Sequence, residues 1–459
     1  ALSVGFRFPA PRGMTAKNGT AKAAPGSVLL YSHSWLNGQT DGVAVRMMAH
    51  AKALAERGVK VTVVTPDFIV DGHTDPEKKP VMVKIPGVDH VLIDSQRTPM
   101  YHKNLCMRSS FRNFFAFRKL IKDIRPEIVH GTQEANLQTL VTACIVCDVP
   151  LVISMHTDVT QIAASDDDFK LCGMTLGRRW SMIATFFAKW GYLNWSLSAA
   201  TFFAVSNHAV EIITGSGVPR RQIAEKIWGP MVDRQTFRID LPSDEVEALR
   251  QNLTFGIPNA FLLVYVGRVT AEKDVMFLVE ALGRAPENVV LALVGSGSLI
   301  PELSKLHGKK NRLHCEGKFV SREQVALSVR AADCCVSAST METIGFTAME
   351  SLSCGTPVLV ARAQGFAEHL TDGVNARLYT PHSKESFDEQ LALTLACKRQ
   401  GNWSPEELRA SMKDASVDAC LERALSAYEV AKHADYYWLR LAVTVFFFLL
   451  QLLVTFVVV

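Results

Sequence analysis

The chain has 459 residues, 48% of them hydrophobic and 20% charged, and 49 basic against 45 acidic side chains leave a net charge of +4. That length predicts two to three domains with ample core, and so small a charge excess excludes nucleic acid as a global partner. Ten cysteines are scattered, with Cys144, Cys334 and Cys335 in apolar runs, which fits reduced buried thiols better than a disulfide framework.

Residues 1–40 contain no Asp or Glu and carry Arg7, Arg12, Lys17 and Lys22. Such a start is compatible with an organelle transit segment, with a plastid as destination, or with a disordered leader. The leader is assigned to 1–26. From there Val28–Tyr31 reads as a strand, Asn37–Gly42 as a glycine-bearing loop, Val43–Arg57 as a helix and Val59–Thr65 as a second strand. A βαβ unit of this kind places its loop at the carboxyl edge of a parallel sheet.

Residues 103–125 interleave seven Lys and Arg with Phe111, Phe114, Phe115 and Phe117. The pattern suits a helix on an anionic membrane surface, or a surface helix with a Phe core stripe. Trp180–Trp195 is aromatic in the same way and reads as core or as an interfacial patch. Strands are expected at Ile128–Val129 and Leu151–Met155, the second ending at His156. A histidine there faces the sheet's ligand edge, and Asp158 lies close enough to orient it or to meet an acceptor hydroxyl.

From Phe261 onward, short β-branched runs alternate with amphipathic segments. Strands are expected at Leu262–Val266, Val289–Val294, Leu313–Glu316, Cys334–Ser337 and Pro357–Ala361. Helices are expected at Asp274–Arg284, Leu299–Leu306, Arg322–Ala332 and Phe346–Ser353. This is a second parallel sheet with one shared ligand edge. Gly267-Arg268 ends the first of these strands and Lys273 follows five residues later. Two cations there suit a diphosphate, Arg as a fork and Lys as a point charge. Glu342 lies on the turn after Cys334–Ser337 and Glu350 inside the next helix. The N–H groups near Gly345 and Phe346 open that helix toward an anion, and the carboxylates suit sugar hydroxyls or simple solvation.

The tail is distinct. Leu441–Val459 holds no charged residue, and Tyr436, Tyr437 and Trp438 precede it. A helix of that length reaches about 28 Å at roughly 1.5 Å per residue, close to a hydrocarbon core of about 30 Å. A single-pass C-terminal anchor over 438–459 is the expectation, beside a buried helix.

Gly267-Arg268…Glu272-Lys273, Glu342…Glu350, Cys354-Gly355-Thr356-Pro357-Val358 and Gly365-Phe366-Ala367-Glu368…Asp372-Gly373 together resemble the nucleotide-binding half of retaining nucleotide-sugar glycosyltransferases of the GT-B type, fourth family. Ser154–Val159 and Lys226-Ile227-Trp228…Val232-Asp233…Phe237 are similar to sulfoquinovosyl- and mannosyl-type lipid enzymes of that family. The resemblance implies an α/β fold of two Rossmann-like domains facing a central cleft: an acceptor domain at 27–225, a donor domain at 226–416, and a helix at 417–437 returning to the first.

It further implies Arg268 and Lys273 on the leaving diphosphate, with Gly267, Gly345 and Phe346 around it and Gly42 approaching it. Glu350 would hold the ribose, with Glu342 and His156 on the sugar. The expected partners are a nucleotide sugar, a lipid acceptor and a membrane, with no metal and no cofactor. Asp166-Asp167-Asp168 offers an Asp-x-Asp of the other major transferase fold, but it follows no expected strand and reads as a solvated loop. Sulfoquinovose transfer to diacylglycerol, GDP-mannose-dependent mannosyl transfer and a catalytically idle membrane scaffold are the functions this pattern admits. Nothing in the sequence sets the oligomeric state.

Overall fold

The computed structural model describes residues 24–35, 42–67, 83–98, 101–134, 136–158, 170–171, 174–175, 189–196, 201–318, 320–432, 444–450 and 452. The leader over 1–23, the loop over 36–41, Asp166–Asp168 and most of the tail lie outside these.

The first lobe contains β1 (Ser27–Tyr31), β2 (Lys60–Pro66), β3 (Val88–Ile93), β4 (Ser95–Thr98), β5 (Tyr101–Met107), β6 (Ile128–Thr132), β7 (Leu151–Met155), β8 (Lys170–Leu171), β9 (Met174–Thr175) and β10 (Thr201–Ala204). Six of them form a wholly parallel sheet in the order β10-β7-β6-β1-β2-β3. The second lobe contains β11 (Phe261–Val266), β12 (Val289–Val294), β13 (Leu313–Cys315), β14 (Cys334–Ser337), β15 (Val358–Ala361) and β16 (Ala376–Tyr379), parallel in the order β13-β12-β11-β14-β15-β16.

In each sheet the chain builds outward on one side and then restarts on the other. The order reverses between β1 and β6 in the first lobe and between β11 and β14 in the second. Loops leaving those strands part to either side, which opens a crevice at the carboxyl ends. Burial on both sheet faces explains the unbroken apolar runs Val28–Tyr31 and Val289–Val294.

Five helices matter for the site. They are α1 (Gly42–Glu56), α2 (Phe111–Ile124), α3 (Arg322–Ala331), α4 (Phe346–Ser353) and α5 (Val417–Lys432). The last leaves the second lobe and joins the first lobe's core through Cys420, Leu421, Leu425 and Tyr428. The Tyr428 hydroxyl bridges two buried histidines, His50 Nε2 on α1 and His130 Nδ1 on β6, at 2.7 Å each. Two chain segments join the lobes, and they lie side by side: Val232 and Ser416 pair as a parallel bridge, and the Val232 N–H donates to Ala415 O at 2.8 Å.

The basic-aromatic segment differs from expectation. Lys103 lies on β5, and the helix starts only at Phe111, where Ser110 accepts from the Asn113 N–H. That capping bond fixes the start. The core-stripe reading holds for part of the helix. Asn113, Phe117 and Ile121 face the core at helical spacing, while Phe111 and Phe115 are over half exposed. The expected membrane span is helical at 444–450, where Phe448 packs on Phe111 and Phe114 and Phe447 on Trp190. Among the described residues, no helix is long and apolar enough to cross a membrane.

Candidate active site

The loops on either side of the second lobe's reversal point carry the expected donor residues. Gly267 leaves β11 at φ +150 and Gly295 leaves β12 at φ +144. A Cβ on Gly295 would sit 2.0 Å from the Gly267 carbonyl oxygen, and one on Gly297 would sit 2.1 Å from that of Val269. Only bare backbone lets these loops touch. Their contact is locked where the Val269 N–H donates to Ser296 O at 2.9 Å.

This rigid turn presents Arg268 and Lys273. Arg268 is exposed and pairs with Glu272 at 2.8 Å. Lys273 is mostly buried; its Nζ donates to Glu342 Oε1 at 2.5 Å, to Ser339 Oγ at 3.4 Å and to Met341 O at 3.5 Å. The lysine thus crosses from the loop after β11 to the loop after β14. The Tyr265 hydroxyl donates to Arg268 O at 2.6 Å. Burial first, then the Glu342 carboxylate, pushes its pKa far up, while Arg268 opposes the shift. Arg268, Lys273 and Glu342 therefore share one crevice.

The loop after β14 then starts α4. Gly345 sits at φ +77, and a Cβ there would meet the Phe366 ring at 2.2 Å. Glycine is required at this point by backbone and packing alike. The helix opens at Phe346, so the N–H groups of Phe346 and Thr347 have no partner within the helix, while that of Ala348 bonds Gly345 O at 3.0 Å. Glu350 is buried one turn further on and binds Arg322 at 2.8 Å. Burial raises its pKa, with the Arg322 charge acting against it. Arg322 opens α3 and rests on the Phe237 ring at 4.8 Å.

The first lobe supplies the opposite wall. Gly42 starts α1, and a Cβ on it would lie 3.1 Å from the Phe346 ring. His156 follows β7; its Nε2 is hydrogen-bonded to Ser154 Oγ at 2.8 Å, and its ring lies 5.7 Å from that of Trp228. Burial holds His156 well below its usual pKa, so it is neutral. Asp158 pairs with His208 Nε2 at 3.4 Å. The lobes also meet where the Asn207 N–H donates to Glu368 at 2.8 Å. Among the described residues, no cluster of three or more His, Cys, Asp or Glu suits a metal ion.

Residues 40–226 match the family model Glycosyltransferase Family 4, and residues 254–416 match Glycosyl transferases group 1. The chain belongs to the family-four glycosyltransferases of GT-B fold.

A D-inositol 3-phosphate glycosyltransferase of Xylanimonas cellulosilytica is 28% identical over 376 residues, 78% of this chain and 84% of that protein. The sulfoquinovosyl transferase SQD2 of Arabidopsis thaliana is 24% identical over 60% of this chain and 51% of its own length. The alpha-monoglucosyldiacylglycerol synthase of Acholeplasma laidlawii is 30% identical over 39% of this chain and 44% of its own. The fold matches the crystal structure of Anabaena HepE in complex with UDP and glucose, with a TM-score of 0.61 at 18% identity, over 87% of this chain and 98% of HepE.

Within this GT-B enzyme, Arg268, Lys273, Glu342, Gly345, Phe346 and Gly42 converge on one cleft, with His156 on its first-lobe wall. Glu350, buried within α4, carries Arg322, which sequence reasoning missed because a helix-opening arginine looks like any surface cation. Glu134 was missed as well. It follows β6, accepts from the Met107 N–H at 3.3 Å, and burial pushes its pKa up to about 8.

His130 beneath the cleft has its pKa lowered to about 3 by burial. The unfolded chain protonates this imidazole near pH 6.5, whereas the folded one stays neutral down to about 3. Its stabilising contribution is therefore complete above 6.5 and shrinks by about 1.4 kcal/mol per unit as pH falls through that window. Going from pH 6.5 to 5, wild type is expected to lose about 2 kcal/mol more than His130→Gln in urea unfolding. Equal losses would refute the neutral imidazole.

Proposed function

We propose that this enzyme transfers a sugar from a nucleoside diphosphate donor to a lipid acceptor with retention of anomeric configuration, and that the reaction is sulfoquinovose transfer to diacylglycerol. The observation that carries the reading is the Lys273–Glu342 pair at the second lobe's reversal point, beside Arg268 and below the start of α4. As the bond from the anomeric carbon to phosphate breaks, negative charge collects on the leaving diphosphate. Lys273, Arg268 and the α4 N–H groups take it up without reorganising. Glu342, released from Lys273 as phosphate arrives, accepts from sugar hydroxyls. His156 meets the sugar from the facing wall, Gly42 lets the first lobe approach the phosphates, and Glu350 holds the ribose with Arg322 beside it. Closure of the lobes excludes water from the donor.

The sugar assignment draws on the likeness to the sulfoquinovosyl transferase, and the acceptor class on the likeness to the diacylglycerol enzyme. The first lobe's surface supports a lipid acceptor. Phe111, Phe115, Trp190, Leu193, Phe446 and Leu449 are each over 40% exposed on α2, residues 189–196 and residues 444–450, which the ring contacts of Phe447 and Phe448 hold together. Exposed Arg112, Lys119 and Lys122 lie beside them on α2. Apolar side chains with flanking cations suit an anionic bilayer surface. A Phe115→Ser/Lys119→Glu variant is expected to bind anionic vesicles about tenfold more weakly with its melting temperature unchanged; undiminished binding would reject this face.

The reaction is tested by incubating the enzyme with UDP-sulfoquinovose, UDP-glucose, UDP-galactose or GDP-mannose and diacylglycerol. Sulfolipid formation is expected. A mannolipid as sole product would move the assignment to the GDP-mannose alternative.

A further inference from the structure

Arg46 is a buried cation on the first lobe's opening helix. It sits one helical turn after Gly42 on α1, fully buried, and Nε, Nη1 and Nη2 all lack a hydrogen-bond partner. Its guanidinium carbon lies 4.9 Å from the Trp228 ring centroid and 5.2 Å from that of Phe346. Burial lowers its pKa to about 10, the Arg423 guanidinium adding to the shift, and among the described residues no carboxylate pairs with it. A guanidinium carries five N–H donors and never becomes a hydrogen-bond acceptor. Two aromatic faces offset part of its desolvation. They leave a buried cation without a counter-charge among the described residues, a strongly unfavourable arrangement.

Its surroundings say where an anion would come from. His156 and His369 both feel the Arg46 charge, so it stands beside the wall assigned to the sugar. Phe346 belongs to the other lobe and covers Arg46 from that side, so parting the lobes uncovers the guanidinium. Lys273, Arg268 and the α4 start already meet the diphosphate from the second lobe. Arg46 reaches the same cleft from the first.

We propose that Arg46 is a specificity residue that binds an oxyanion substituent, sulfonate or carboxylate, on the transferred sugar. This rests on the nucleotide-sugar reading above and goes further: it makes the enzyme selective for acidic over neutral donor sugars. A planar fork of donors matches such an oxyanion in a way that lysine does not.

Calorimetric titration of the full chain with UDP, UDP-glucose, UDP-glucuronate and UDP-sulfoquinovose tests this without an acceptor. Wild type is expected to bind the acidic donors about 30-fold more tightly than UDP-glucose. In Arg46→Met that preference should shrink to about threefold or less while affinity for UDP holds within the same factor. Arg46→Lys should retain an intermediate preference. The melting temperature of Arg46→Met should equal or exceed wild type, because an unpaired buried charge has been removed. Three results would overturn the proposal. One is equal wild-type affinity for acidic and neutral donors. Another is an Arg46→Met that weakens UDP as much as the acidic donors, which would place the guanidinium on the phosphates. The third is an Arg46→Met that melts well below wild type with its preference intact, which would make the residue structural. Failure of wild type to bind UDP at all would sink the underlying UDP-sugar reading first, and this proposal with it.

Discussion

Lys273→Ala is expected to lower kcat for sugar transfer by about 10² to 10³, the loss typical of one fixed group removed from developing charge. Of the two cations after β11, Lys273 is the one held inside the cleft, since Arg268 is largely exposed and leans on Glu272. Its removal also leaves Glu342 in a mostly buried position without its partner, so stability should fall by about 1–2 kcal/mol. The double variant Lys273→Ala/Glu342→Ala separates the two effects. It should regain much of the stability and none of the activity. Wild-type turnover in the single variant would remove Lys273 from the mechanism. Low total activity with wild-type kcat per folded molecule, assayed by active-site titration, would show that only folding had suffered.

Gly295→Ala is expected to damage the second lobe severely. The new Cβ would lie 2.0 Å from Gly267 O and 3.0 Å from its carbon, and neither atom is the end of a flexible side chain. The φ of +144 adds backbone strain of its own. Relief requires prising apart loops that the bonds from Gly267 N to Val294 O and from Val269 N to Ser296 O hold together. Strain and overpacking together predict a loss of about 3 kcal/mol or more in urea unfolding. Because the displaced loop carries Arg268 and Lys273, UDP affinity should fall with it. A variant of wild-type stability and UDP affinity would show that this contact is not what positions the cations.

Much of the second lobe was legible because its strands are buried on both faces. Val289–Val294 and Cys334–Ser337 read as short apolar runs with the boundaries the structure gives them, and α4 was placed residue for residue between its glycine start and Gly355. Edge strands were harder. Val88–Ile93 is buried only at its two ends and carries Asp89 and His90, so no apolar run announces it. The strand Ala376–Tyr379 hides behind Arg377. The site divided in the same manner. Lys273 and Glu342 could be named from their places after strands, but their direct pairing could not, because the contact spans sixty-nine positions of sequence. Arg46 gave no signal at all. A lone arginine among Val43, Ala44 and Met47 looks like a solvent-facing break in a helix, and only three-dimensional packing shows it enclosed between the lobes.

The two crossings that tie the lobes together meet at one point, where Val232 and Ser416 are bonded backbone to backbone. Paired tethers behave as one strap rather than two independent linkers, so relative movement is confined to rotation about a single short axis. The final helix and the segment at 444–450 both belong to the lobe with the His50–Tyr428–His130 bridge. Anything that grips the end of the chain therefore immobilises that half alone. The second lobe is left to swing about that axis, like a jaw on a fixed anvil.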